Sequence, residues 1–530
     1  MRIPRWFLIV LAVVLCAASG IAQPPQHLFF RVTLGPQFTA PTSGRMLIFV
    51  TAGSGAEKVD ENPFSPTSVY VAAKEVPNLT PGASVDIDTD DVAFPEGFSS
   101  LKPGDYQAQA VLDIDHTYAY AGRAVGDLVS EVLPLAAYHP GTGPEPVLVL
   151  NTIVTEGPAP QLAPEFVAHA HLEDLTSPAL TAFFARPVHV RAWVVLPPDY
   201  DEHAEAHYPT VYWTHGFGGN LDYAEQYGSS IYLRMVKGLM PPMIWVMLDE
   251  SSATGTHEFA DSANNGPWGK ALTIEFIPSL EKKYRMDARP SGRFLQGHSS
   301  GGWATLQLQI NYPEVFGGTW STSPDPSDFH DFTGIDLYAP HANMYHRADG
   351  TPYPLVRDHD KVLSTTEQFA RDETVLGAYG GQFTSFEWVF SPRGSDGRPL
   401  PMFNRATGEI DPAVVAYWRD HYDLANIVTT TWAERGPLLR GKIHVTVGTA
   451  DTFYLDGAAH KMDAVLKGLH AGAHFTYIPD RTHFDLYVMQ VNGKEDRGGL
   501  LDLIATEMYA VARPGNAWAP AAQPPAGGPQ

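Results

Sequence analysis

Hydrophobic and polar positions change their rhythm once along this chain. From about residue 23 to residue 158 the apolar positions fall in short runs: "HLFFRVTL", "RMLIFVTA", "SVYVAAKEV", "DYQAQAVLDID" and "PVLVLNTIV". In the fourth run Tyr106, Ala108, Ala110 and Leu112 alternate with Gln107 and Gln109, the two-residue period of a half-buried strand. Turn sequences such as Thr80-Pro81-Gly82 and Lys102-Pro103-Gly104 separate the runs. The pattern predicts an all-β, immunoglobulin-like sandwich without the cysteine pair of antibody domains.

The rhythm changes after the proline-rich joint "EGPAPQLAP". Strand-like runs "VHVRAWVVLPP", "YPTVYWTHGF", "MIWVMLDE", "GRFLQGHSS", "GGTWSTS", "KIHVTVGTA" and "HFTYIPD" now alternate with helical stretches. In "LTIEFIPSLEKKY" Leu272, Phe276, Leu280 and Tyr284 recur every fourth residue and define one apolar helical face, which Pro278 should kink or shorten. Alternation of this length predicts an α/β unit, a mostly parallel sheet covered on both faces. The expected division is a leader at 1–22, a β-sandwich-like domain at 23–158, an α/β catalytic domain at 159–514 and a disordered tail at 515–530. The catalytic domain carries a long insertion at 324–441, dense in Tyr, Trp, Phe and His. It is either a lid over the site or a packed accessory layer.

Composition narrows the classes of function. Hydrophobic residues make up 44% of the chain, enough for a sizeable core. Lys and Arg number 35 against 59 Asp and Glu, a net charge of −24 that repels phosphate backbones and argues against nucleic acid. The start, "MRIPRWFLIVLAVVLCAASGIAQPP", has two arginines, a short apolar run and a small-x-small site at Gly20-Ile21-Ala22. It reads as a secretory signal peptide cleaved near Ala22, so a secreted or periplasmic protein is expected. No other run is long enough to span a membrane. The one cysteine, Cys16, lies in this leader, which excludes disulfides, a cysteine nucleophile and cysteine-ligated metal from the mature protein. No metal and no cofactor is assigned. His169 and His171 lack a third ligand, and the Asp86, Asp88, Asp90 and Asp91 cluster lacks the spacing of a calcium loop.

The chemistry centres on "GHSSGG". Gly297-His298-Ser299-Ser300-Gly301 fits G-x-S-x-G between a strand and a helix, the setting of a nucleophile elbow. A serine hydroxyl needs a base and the base needs an acid. Asp451 follows the strand at 442–447, and His483 follows the strand at 474–478. The competing acids are Asp325 and Asp456, and the competing bases His460, His470 and His474. An oxyanion needs two backbone N–H donors. Ser300 supplies one, and the Gly-rich loop His215-Gly216-Phe217-Gly218-Gly219 supplies the other, with Phe217 ahead of Gly218.

From about Leu172 to Arg513 the chain resembles the esterase D / feruloyl-esterase-like branch of the α/β-hydrolases, a group that includes the mycolyltransferase antigens. The segments that carry the likeness are "VLPPDYDEHAEAHYPTVYWTHGFGG", "EFIPSLEKKY", "GRFLQGHSSGG", "GTADTFYLD" and "DRTHF". The resemblance implies serine hydrolysis or acyl transfer with Ser299, Asp451 and His483 as the triad. The sequence departs from the family core in its amino-terminal β domain and in the long insertion. The function expected is therefore an exported serine carboxylic ester hydrolase acting on a small-molecule or carbohydrate ester. The alternatives are an acyltransferase to a sugar or lipid alcohol, and a non-catalytic binding protein on the same fold. The β domain is expected to serve in packing.

Overall fold

The computed structural model describes residues 27–157, 160–491, 493–516 and 518. The expected leader at 1–22 and most of the tail at 515–530 lie outside the described residues.

Nine amino-terminal strands are joined by hydrogen bonds into one sheet. Its order is Ser84–Asp88, Phe29–Leu34, Val147–Ile153, Leu128–Ser130, Gly104–Asp113, Thr42–Ala52, Val69–Leu79 and Ala93–Phe94, with Leu133–Tyr138 also beside Gly104–Asp113. Phe29–Leu34 and Val147–Ile153 run parallel, and the other pairs antiparallel. Alternation along Thr42–Ala52 feeds two cores. Met46, Ile48 and Val50 pack with Phe30, Ala108 and Ala110. Leu47 and Phe49 pack on the opposite face with Val71, Val111 and Tyr118. That second core also takes in Val375 and Leu376 from the insertion helix Thr366–Leu376, so this face of the sheet docks against the α/β unit. Arg45 seals the contact by donating its guanidinium to the Val375 carbonyl at 2.9 and 2.8 Å, satisfying an orphan acceptor at the helix end.

The strand Gly104–Asp113 differs from expectation. It is buried on both faces, with Gln107 and Gln109 only 4% and 5% exposed. The Gln107 Oε1 accepts from Ala56 N–H at 2.6 Å, and the Gln109 Oε1 from Val59 N–H at 2.9 Å. Two polar side chains therefore stand in for water and fix the backbone of a loop that would otherwise be solvated.

The second sheet has eight strands in the order Ala170–Thr176, His189–Val195, Ile244–Leu248, Thr210–Thr214, Arg293–His298, Gly318–Thr322, Ile443–Gly448 and His474–Ile478. His189–Val195 is antiparallel to both neighbours, and all later pairs are parallel. The central strands Thr210–Thr214, Ile244–Leu248 and Gly318–Thr322 are buried at every residue, as layers on both faces require. The helix around Pro278 is broken into two segments. Residues Ala271–Phe276 form a wide turn in which Ile277 N–H reaches the Leu272 carbonyl, and Pro278 then opens the next helix Ile277–Lys283. The widened turn absorbs the missing proline N–H while Leu272, Phe276 and Leu280 stay in the core. The insertion packs Phe329, Phe332, Phe386, Phe390 and Trp418 into one aromatic cluster continuous with Ile443 and Val445 of the sheet. Among the described residues no helix is long and apolar enough to cross a membrane.

Candidate active site

Ser299 occupies the turn between the strand Arg293–His298 and the helix Ser300–Asn311. Its backbone is left-handed and strained, at φ 62° and ψ −127°. The turn closes because of its glycines. A Cβ on Gly297 would lie 2.2 Å from the Gly301 carbonyl oxygen, and one on Gly301 would lie 2.3 Å from the His215 carbonyl oxygen. Ser299 borders a cavity of about 660 Å³, which His483 also lines.

Two later strands deliver the other groups. Asp451 follows Ile443–Gly448, and His483 follows His474–Ile478. His483 Nδ1 and Asp451 Oδ2 are 2.9 Å apart, and both side chains are buried. Asp451 Oδ1 accepts from the N–H groups of Phe453 and Leu455 at 3.0 and 3.3 Å. Burial alone would raise this carboxyl, but His483 and the donated hydrogen bonds hold it below its ordinary value. An ionised acceptor there assigns the ring proton of His483 to Nδ1 and leaves Nε2 as a base. Among the described residues no hydrogen bond joins Ser299 Oγ to His483, and such contacts tighten when substrate binds.

The competing residues have other partners. Asp325 lines the cavity, yet its Oδ2 accepts from Ser300 Oγ at 2.6 Å; burial pushes its carboxyl up to about 6 against that hydrogen bond. Asp456 pairs with Arg357 at 3.0 Å. His460 stacks on Tyr477, with ring centres 3.9 Å apart, and His474 on His444 at 4.9 Å. His470 stands just past the helix Leu455–Gly468, with a left-handed backbone at φ 52°. His298, beside the nucleophile, is pushed down to about 3 by burial and by the nearby His483, and is neutral.

The N–H groups of Phe217 and Ser300 have no acceptor among the described residues. Ser300 opens a helix, where the first N–H groups are unpaired by geometry. Phe217 lies in the loop after Thr210–Thr214. His215 holds that loop from below. Its Nε2 accepts from Glu250 N–H at 3.0 Å, so its Nδ1 carries the proton and donates to the Gly216 carbonyl at 2.9 Å.

The amino-terminal unit also reaches the cavity, beyond the packing role expected of it. Glu61, Phe64 and Tyr120 line it. Tyr120 donates its hydroxyl to the Gly219 carbonyl at 2.6 Å and meets the Phe217 ring edge-on at 5.0 Å. Phe64 meets Phe484, next to His483, edge-on at 5.5 Å. The one sequence signal was Phe64 itself, a large apolar residue inside the polar turn "ENPFSPTS". The insertion supplies Leu355, Phe369, Asp372 and Phe383 to the wall, so it lines the cavity as well as packing. His169 and His171 are engaged elsewhere, by the Glu165 carbonyl and by the Tyr284 ring. Asp86 pairs with Arg31, and Asp88 with His27.

A family model described as "Putative esterase" matches residues 185–467, just over half of the chain. No curated protein matches. Among solved structures, a ferulic acid esterase is 14% identical with a TM-score of 0.38, covering 65% of this chain and 97% of its own. An S-formylglutathione hydrolase from Staphylococcus aureus is 12% identical with a TM-score of 0.37, covering 65% and 98%. Another from Agrobacterium tumefaciens is 13% identical with a TM-score of 0.36, covering 66% and 95%.

Proposed function

The chain belongs to the esterase family whose model spans residues 185–467, and from that premise we propose a serine carboxylic ester hydrolase with Ser299 as nucleophile, His483 as base and Asp451 as its orienting acid. The observation that carries this reading is the 2.9 Å contact between His483 Nδ1 and Asp451, on the cavity that Ser299 enters from a strained turn. His483 Nε2 takes the Ser299 proton as Oγ adds to the ester carbonyl. The oxygen of the tetrahedral intermediate is held by the N–H groups of Phe217 and Ser300. The intermediate collapses, the alkoxide leaves with the proton from Nε2, and an acyl-serine remains. Water, deprotonated by the same nitrogen, adds to that ester and releases the acid and the free serine.

Two further readings accompany it. The leader at 1–22 directs export to the periplasm or the medium, and the mature protein begins at Gln23; sequencing the amino terminus of the exported protein tests this. The amino-terminal sheet, with its parallel pairing of first and last strands, is immunoglobulin-like.

Turnover of nitrophenyl acetate tests the central reading. The wild type should show a burst of nitrophenol as acyl-serine forms. Ser299→Ala should lose the burst and cut turnover by roughly a millionfold. A Ser299→Ala variant that keeps the burst overturns it.

A further inference from the structure

The cavity beside Ser299 carries acids and no cation. Glu61, Asp325, Asp372 and Glu373 line it, whereas no lysine or arginine among the described residues does. Two of the four are answered by protein donors. Asp325 accepts from Ser300 Oγ, and Glu373 accepts from the N–H groups of Phe383 and Thr384 at 2.9 and 3.3 Å. Asp372 is not. It is 6% exposed, and among the described residues no N–H and no O–H of a neutral or cationic group donates to its carboxylate. What it meets is the carboxyl of Glu61, from the other unit of the protein.

Two carboxyls face to face are a poor structural contact. Burial raises the proton affinity of both; Glu61 raises that of Asp372 further, while the hydrogen bond with Asp372 offsets part of the rise at Glu61, so the pair keeps a proton that water would remove. The nearby cations do not relieve it. Lys58 and Arg123 both pair with Asp60 instead, and Arg405 pairs with Glu387. The surrounding wall is aromatic. Phe369 lies one turn before Asp372 on the same helix and meets Phe383 edge-on at 5.8 Å. Phe64, three residues after Glu61, touches Phe484 beside the catalytic histidine. Unanswered carboxylates among aromatic faces bind one kind of group well: a cation with an apolar coat.

Resting on the ester hydrolase reading above, we propose that Glu61 and Asp372 form a subsite for an ammonium group, so that the enzyme prefers esters bearing a quaternary or protonated amine over neutral isosteres and rejects esters bearing a carboxylate. The ammonium takes the place of the proton held between the two carboxyls, and that proton passes to solvent. The amino-terminal unit thereby contributes to specificity, since the subsite is incomplete without Glu61.

The test uses the full chain and three esters: butyrylthiocholine, its neutral 3,3-dimethylbutyl thioester isostere, and a hemisuccinate ester. The quantity read is the ratio of kcat/KM for the cationic ester to that for the neutral one. The wild type should show a ratio of about ten or more, with the hemisuccinate slowest, the scale of a desolvated cation contact. The ratio should fall to about two or less in the Glu61→Gln/Asp372→Asn double variant. A second readout needs no turnover: butyltrimethylammonium should raise the melting temperature of the wild type and not that of the double variant, while 3,3-dimethylbutanol should raise neither. Glu61→Gln alone, at the more exposed member, should lower the ratio if the double variant does not fold. A wild-type ratio near one, or a ratio and a thermal shift that survive the substitutions, overturns the subsite. The ester hydrolase reading fails separately, if the wild type turns over none of these esters nor nitrophenyl acetate.

Discussion

Tyr120, on the short helix Tyr118–Ala121 of the amino-terminal unit, donates its hydroxyl to the carbonyl oxygen of Gly219, at 2.6 Å, in the loop whose Phe217 lines the cavity. One hydrogen bond thus ties the amino-terminal unit to the loop after the strand Thr210–Thr214. Tyr120→Phe keeps the ring on Phe217 and removes only this bond. The expected result is a fall in kcat of about two- to tenfold, the worth of one hydrogen bond, with KM and melting temperature nearly unchanged. A loss confined to the melting temperature would make the bond a packing contact and no more.

The proposed acid rests on hydrogen-bond partners. Asp451 accepts from His483, while Asp325 accepts from Ser300 Oγ. Asp451→Asn presents an amide to Nδ1 and favours the wrong tautomer, which should cost roughly ten-thousandfold in kcat. In Asp325→Asn the amide oxygen still accepts from Ser300, so the loss should stay below about tenfold. Steady-state kinetics on folded variants, checked by circular dichroism, separates the two. The opposite order would reassign the acid.

The elbow tolerates no added carbon. The 2.3 Å approach to the His215 carbonyl on Gly301 is to backbone, which cannot swing aside. Gly301→Ala should destabilise the fold by about 3 kcal/mol or more, read as a lower melting temperature or loss of soluble protein. A variant that melts like the wild type would mean that the turn is wider than described.

Buried Asp113 gives stability a pH dependence of known sign. Burial, and then Asp127, push its carboxyl up to about 7, whereas in the unfolded chain it titrates near ~3.9. The unfolded state therefore gives up this proton first. The stability it allows is complete below about pH 4 and is lost as pH rises to about 7. Asp113→Asn removes that loss. Between pH 5 and pH 8 the stability difference should move in favour of the variant by about 2–3 kcal/mol, followed as melting temperatures at the two pH values. A difference that does not change with pH contradicts the assignment.

The local elements that carry the proposed site were legible in the sequence. The elbow is six consecutive residues, and its two glycines are forced by contacts within the turn and to the end of the neighbouring strand Thr210–Thr214. Asp451 and His483 each follow a strand that its own apolar pattern reveals. What was not legible is the cavity wall. Glu61, Phe64 and Tyr120 reach it through docking of one sheet face on Val375 and Leu376, a contact between residues some hundreds of positions apart. No periodicity within a strand encodes such a contact. The same cause hid Gln107 and Gln109, whose polar period signalled water while their amides in fact hold the loop that leads to Glu61. His215 appeared only as part of a glycine-rich turn, because its partner Glu250 N–H comes from a neighbouring strand end. Pro278 marked the place of the break, but nothing in its neighbours announced the wide turn Ala271–Phe276 that precedes the helix Ile277–Lys283.

The most direct measurement is covalent labelling with a fluorophosphonate, followed by peptide mass mapping. Ser299 should carry the phosphonyl adduct in the wild type, at one per chain, and Ser299→Ala should take up none while His483→Ala labels far more slowly. An adduct on another residue, or labelling of Ser299→Ala at the wild-type rate, would contradict Ser299 as the nucleophile.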